Sequence, residues 1–247
     1  MQLNPSISSS ISSERPVQVE AITYMDRDLF KAAADGDVEL FNKYQGGLHC
    51  LVDGSQNTVL HIHSRTGGRK VVKNVKTFLC FQKRVFKTEF NINFVEQLVD
   101  KCPSLLLQPN ANREIPLHIA ARHGHSDIVK LLIERANVGQ HEDPERGLEA
   151  SRTRQMVRMR DKEENTAFHE AARYGHLDVL RLLVKEVDPD FALSANTSGE
   201  TPLYLAAKGG YHDLVAEILN NCKSTVYGGP NGKTALHAAV RAGDESK

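Results

Sequence analysis

The chain has no tryptophan at all, and aromatic residues make up only 6% of its 247 positions. A core with so few rings has to be built from aliphatic and small side chains. No run of about 18 apolar residues occurs, so nothing in the sequence reads as a transmembrane helix. Net charge is missing as well: 31 basic residues cancel 31 acidic ones, which removes any long-range pull toward nucleic acid or a membrane surface. The four cysteines, Cys50, Cys80, Cys102 and Cys222, are widely spaced and have no CxxC or CxxH partner. They read as reduced thiols in a cytosolic setting, not as a disulfide framework or a zinc site. Residues 1–23, Ser-rich from Ser6 to Ser13, lack the apolar stretch of a signal peptide and are expected to be a disordered lead.

What the sequence does have is repetition. One helix-opening phrase is written five times: Thr58-Val59-Leu60-His61, Ile115-Pro116-Leu117-His118, Thr166-Ala167-Phe168-His169, Thr201-Pro202-Leu203-Tyr204 and Thr234-Ala235-Leu236-His237. The last two intervals are 35 and 33 residues, and the earlier two, 57 and 51, equal 33 plus inserts of 24 and 18. Thr offers its hydroxyl to the orphan N–H groups of a helix start, and Pro fits a first turn that needs no N–H. A small pair follows (Ala120-Ala121, Ala171-Ala172, Ala206-Ala207, Ala238-Ala239) and lets neighbouring helices approach. Gly124, Gly175, Gly210 and Gly243 are expected to end the first helices. Apolar stripes then predict second helices: Ile128, Val129, Leu131, Leu132; Val179, Leu180, Leu182, Leu183; Leu214, Val215, Ile218, Leu219.

A 33-residue period with a T-P-L-H-x-A phrase resembles the ankyrin repeat. The resemblance implies an all-α solenoid of helix-turn-helix units with β-turn fingers, here about five and a half repeats, stable only because stacked units bury one another's apolar faces. The expected units are 24–54, 55–109, 110–160, 161–195, 196–229 and 230–247. The first keeps Ala32-Ala33 and Gly36 but is otherwise divergent, as a capping repeat should be. The last stops after its first helix, so the chain reads as part of a longer protein. In the second unit, Val71-Val72-Lys73-Asn74-Val75 and Phe94-Val95-Glu96-Gln97-Leu98-Val99 compete for the second helix. The latter is favoured because Lys101-Cys102-Pro103-Ser104-Leu105-Leu106 makes a natural exit, which leaves 68–91 as an insert. The third unit's insert, 137–160, is charged, holds Pro144 and Gly147, and reads as a long loop in which 154–160 can form a short helix.

Several stretches go beyond the generic repeat. They include Asn57-Thr58-Val59-Leu60-His61-Ile62, the charged insert after Leu131-Leu132-Ile133-Glu134, Thr166-Ala167-Phe168-His169-Glu170-Ala171, Asp188-Pro189-Asp190-Phe191 and Gly228-Gly229-Pro230-Asn231-Gly232-Lys233-Thr234-Ala235-Leu236-His237. From Leu29 onward the pattern resembles plant ankyrin-repeat membrane proteins of the accelerated-cell-death type, in which a PGG domain and transmembrane helices follow the repeats. The resemblance implies a cytosolic recognition array at the plasma membrane, used in immune or cell-death signalling. The membrane part is absent from this sequence, and His63-Ser64 stands where an Ala-Ala pair belongs.

Catalytic and cofactor chemistry finds little footing. Tyr227 to Thr234 looks like a phosphate-binding loop, but Tyr227 occupies the place of its first glycine, and the segment sits where a finger is due. The 11 histidines follow the repeat and no ligand geometry, so neither a metal nor a cofactor is expected. No nucleophile stands with a base and an orienting group, and enzymatic activity is not expected.

Two patterns point to partners. Seven positions after each phrase opens, near the end of each first helix, stands a base: Arg65, Arg122, Arg173, Lys208 and Arg241. Each complements a helix C-terminus singly. Stacked, they predict an exposed ladder along the concave edge, flanked by finger residues Asn112, Glu114, Glu163, Asn165, Ser198 and Glu200 and suited to an acidic or phosphorylated protein segment. The second pattern is the insert, where Arg69, Lys70, Lys73, Lys76, Lys83, Arg84 and Lys87 alternate with Val72, Phe78, Leu79, Phe81, Val85 and Phe86. A basic amphipathic stretch of this kind is calmodulin-target-like, so a calcium-regulated adaptor working through 69–87 is the alternative reading. An insertion with no role of its own fits the same residues. A third reading makes the chain the cytosolic gate of a channel-like assembly, which needs helices not present here.

Overall fold

The computed structural model describes residues 22–44, 47–68, 92–138, 152–186, 194–221 and 227–245. Among them the chain forms two rows of helices. The inner row holds α1 (Arg27–Asp35), from the divergent first unit, and the five helices opened by the repeated phrase: α2 (Val59–Thr66), α4 (Pro116–His123), α7 (Ala167–Tyr174), α9 (Pro202–Lys208) and α11 (Ala235–Glu245). Each packs on the next in that order. The outer row is α3 (Ile92–Lys101), α5 (Ser126–Asn137), α8 (Leu177–Val184) and α10 (His212–Asn221), again packed in sequence. The fold is an all-α repeat solenoid.

The small pairs make the inner row possible. Ala33, Ala120, Ala121, Ala171, Ala172 and Ala206 have no exposed surface, so adjacent helix backbones lie side by side with only methyl groups between them. Behind them the outer helices fill the core with Phe94, Val95, Leu98, Ile128, Val129, Leu132, Val179, Leu180, Leu183, Leu214 and Ile218. In the second unit His63 and Ser64 replace the small pair and are equally buried. The His63 ring is accommodated by a bond of 3.1 Å to the Ala33 carbonyl and by Phe94, 4.6 Å away between ring centres. The first unit has no outer helix among the described residues. A single 3₁₀ turn, Glu39–Phe41, takes that position and sends Phe41 edge-on into Phe94.

Three local expectations need correction. Thr23, assigned to the lead, belongs to a two-residue strand, β1 (Thr23–Tyr24), paired in parallel with β2 (Leu51–Val52). Gly36, Gly67, Gly124 and Gly175 do end helices in the left-handed conformation, but α9 is capped by Gly209, with Gly210 following at φ +70°. Gly243 ends nothing and lies inside α11.

The third unit's insert holds the expected short helix, two residues earlier than its sequence suggests. Helix α5 runs to Asn137, and α6 (Arg152–Arg158) packs on it with Thr153, Met156 and Val157 buried. Thr153 donates to the Asn137 side chain. In the second unit α3 has the register of Phe94–Val99, while Val71–Val75 lies outside the described residues.

Candidate protein-interaction face

The fingers are built by a residue that the phrase does not include. Five positions before each of the first four phrases stands Asp53, Asn110, Asp161 or Asn196. Its side-chain oxygen accepts the N–H groups two and four residues on, at 2.8–3.1 Å. This Asx arrangement folds a tight hairpin whose third residue after the Asx is left-handed: Gln56, Arg113, Glu164 and Gly199, at φ of 60°, 62°, 61° and 74°. Successive fingers are joined by backbone bonds of 3.0 Å from Ala111 to Ser55, Lys162 to Asn112 and Thr197 to Glu163. Pro230 has the aligned position in the last finger and lacks an N–H, so there Thr201 instead donates its hydroxyl to the Gly228 carbonyl. Residues 227–234, the apparent phosphate loop, form this finger, with a 3₁₀ turn at Pro230–Gly232.

The phrase histidines tie fingers to helices. The N–H of Thr58, Ile115 or Thr166 donates to Nδ1 of His61, His118 or His169 at 3.2 Å. That fixes a neutral ring with its proton on Nε2, which His61 donates to the Glu114 carbonyl (2.8 Å) and His118 to the Asn165 carbonyl (3.2 Å). Burial pushes these rings down from the usual imidazole range, His61 to about 4 and His169 to about 3, and His118 likewise. A second stitch runs along the helix ends. His125, His176 and Tyr211 lie over Gly67, Gly124 and Gly175 of the preceding units, where an added Cβ would come within 2.8 Å of the ring. His125 and His176 also donate to the carbonyls of Arg65 and Arg122. Among the described residues no group of three or more His, Cys, Asp or Glu is placed to hold a metal ion.

The basic ladder is exposed at Arg65, Lys208 and Arg241, but Arg122 and Arg173 are half-buried. Arg122 is half-buried and bonds Glu114 on one side (2.5 Å) and Glu170 of the next unit on the other (2.6 Å). Arg173 donates to Asn165 (3.0 Å) and lies 3.7 Å from both Glu170 and Glu200. Lys208 reaches Glu200 at 2.9 Å. The result is a zigzag of alternating sign, Glu114–Arg122–Glu170–Arg173–Glu200–Lys208, three bases against three acids. Glu170 is fully buried and takes the place held by Ile62, Ile119 and Leu205 in other units. Burial would raise the Glu114 carboxyl, but Asn110 and Arg122 outweigh it and hold that group below the usual carboxylate range. Burial likewise works against the Arg122 charge, and Glu170 and Glu114 more than restore it.

The two ends of the ladder differ from its middle. Arg65 and Arg241 are exposed, and the residue eight positions before each, the place of Glu114 and Glu200, is Asn57 or Lys233. The finger residues divide as well. Asn112, Glu163 and Ser198 stand exposed at the tips, whereas Glu114 and Asn165 are turned into the structure with 5% and 1% of their surface accessible. Insert residues 69–87, on which the calmodulin reading rests, lie outside the described residues.

Two helical rows stitched through fingers, with a concave edge of polar tips, define a repeat scaffold for protein interaction. A family model for ankyrin repeats matches in three copies, over residues 29–141, 85–193 and 187–246. The chain belongs to the ankyrin-repeat family. It is similar to Protein ACCELERATED CELL DEATH 6 of Arabidopsis thaliana, 23% identical over 207 residues, covering 82% of this chain and 27% of the relative. An ankyrin repeat-containing protein of the same plant is 36% identical over 98 residues, 37% of this chain and 18% of the relative. The NF-kappa-B inhibitor cactus of Drosophila yakuba is 27% identical over 138 residues, 51% of this chain and 27% of the relative. The chain thus spans about a quarter or less of the length of these relatives. No helix among the described residues is long and apolar enough to cross a membrane.

Proposed function

We propose that this chain is the protein-recognition array of a plant defence or cell-death signalling protein of the accelerated-cell-death type. The observation that carries the reading is the breadth of the similarity: 82% of the chain aligns with one protein named for that process. The family resemblance implies attachment to the cytosolic face of the plasma membrane through a part this sequence does not contain. Within the array, partners meet the exposed tips Asn112, Glu163 and Ser198 and the edge they border. An acidic or phosphorylated segment is the favoured class, and the function is recognition without catalysis. A chimera tests the proposal: this chain replaces the aligned segment of Protein ACCELERATED CELL DEATH 6 and is expressed in leaves. The chimera should support cell-death signalling, and changing Asn112 and Ser198 together to Glu, which repels an acidic segment, should abolish it at unchanged protein level. A chimera that accumulates normally and signals nothing contradicts the proposal.

A further inference from the structure

The zigzag of ion pairs has one consequence for where a partner can bind. Across the third to fifth units every ladder base already faces a carboxylate, so a partner's acidic group would have to displace an internal one. Arg65 is different. Its side chain is exposed and makes no ion pair among the described residues. The reason is in the sequence. Asn57 stands where an acid would reach it, and the Asn57 amide is occupied, donating to Asp53 and accepting from Asn110. The carboxylate of Asp53, in the same groove, is itself engaged by the N–H groups of Ser55 and Asn57 and by that amide. In the next unit the position of Glu170 is filled by Ile119.

Arg65 borders a groove of about 660 Å³ that also contains Phe30, Ile119, Asn112 and His123. Phe30 is 40% exposed despite its size. An unanswered guanidinium, an exposed ring and polar groups beside them form a compact site with a charge to satisfy and apolar surface to cover.

We propose that this groove is the primary docking subsite and that it takes a short peptide segment carrying a glutamate or aspartate next to an aliphatic side chain. The carboxylate pairs with Arg65, and the aliphatic group covers Phe30. The proposal rests on the recognition reading above and narrows it to the first three units.

The test starts from a random dodecapeptide library displayed on phage and selected on the immobilised full chain. The strongest binder is then made as a fluorescent peptide in three forms, with its acidic residue as Glu, Gln or Lys. Selected sequences should be enriched in an acid beside an aliphatic residue, and the Gln form should bind about tenfold more weakly. The variant R65E should lose binding by a similar factor, R65K should retain most of it, and F30A should weaken it. Because Arg65 holds no internal pair, R65E should lose no more stability than a reversed charge at a helix C-terminus costs. Basic or purely apolar selected peptides, no enrichment at all, or binding indifferent to R65E would overturn the proposal. Peptides indifferent to R65E but lost when Asn112 and Ser198 become Glu would do so while leaving concave-face recognition standing. Peptides indifferent to every one of these changes would overturn both.

Discussion

Arg122 shows how a residue's neighbours can reverse the meaning of its position. Counted along the sequence it is one of five bases at helix ends, free for a partner. In the structure it holds down a buried carboxylate, Glu170, so its removal acts on the fold first. Reversing Arg122, Arg173 and Lys208 together to Glu would place three acids among three acids and should unfold the array. Arg122 and Arg173 are not the freely reversible surface charges that their spacing predicts, whereas Lys208 is exposed as expected. Strain at the finger tips is a second effect at this scale. Gln56 is exposed and left-handed at φ 60°, where Gly199 stands in the fifth unit. Gln56→Gly should raise stability by about 0.5 kcal/mol, since relief of the left-handed strain slightly exceeds the added freedom of the unfolded chain. Urea denaturation reads it, and a loss of stability would mean that the Gln56 side chain contributes something beyond its backbone conformation.

At the scale of elements, the first helices were legible because capping, proline placement and small pairs are local rules that hold whatever the surroundings. The outer helices were legible from their stripes, including Phe94–Val99 across the gap. Two features were harder to see. The Asx residue before each of the first four phrases varies between Asp53, Asn110, Asp161 and Asn196, so it repeats in chemistry and not in letter. Glu170 registers as an anomaly only when the five phrases are aligned and its apolar counterparts are compared. Helix α6 was legible as a short helix at 154–160 and stands two residues earlier, with Thr153, Met156 and Val157 facing inward. Met156→Ala should therefore cost about 2–3 kcal/mol, as for a buried core side chain, and a change under about 0.5 kcal/mol in thermal or urea unfolding would return the segment to the status of a loop.

For the molecule as a whole, the histidine stitches impose a common pH limit. His61, His63 and His169 have folded-state values of about 4, 4 and 3, below the usual 6.5, so each favours the folded state only while neutral. Their contribution is fully present above about pH 6.5 and is lost as the pH falls through the folded values. A folded-state value one pH unit below the ordinary one corresponds to about 1.4 kcal/mol, so three linked rings can exceed the margin of an ordinary domain. The urea midpoint should be flat above pH 7, fall below pH 6.5 and vanish by about pH 4. A midpoint unchanged between pH 7 and 5 would show that the rings do not carry this linkage.

The ion-pair zigzag couples units in the same way, and it separates the self-satisfied middle of the concave face from its open end at Arg65. A double-mutant cycle on Arg122 and Glu170, read by urea denaturation, tests that division most directly. Arg122→Met should cost about 3 kcal/mol by stranding a buried carboxylate, and Glu170→Leu, which restores the apolar residue of the other units, about 1 kcal/mol or less. The double variant should regain most of the loss, with a coupling of at least about 1.5 kcal/mol. If the two changes simply add, Arg122 is an exposed base after all, and the ladder is open along its whole length.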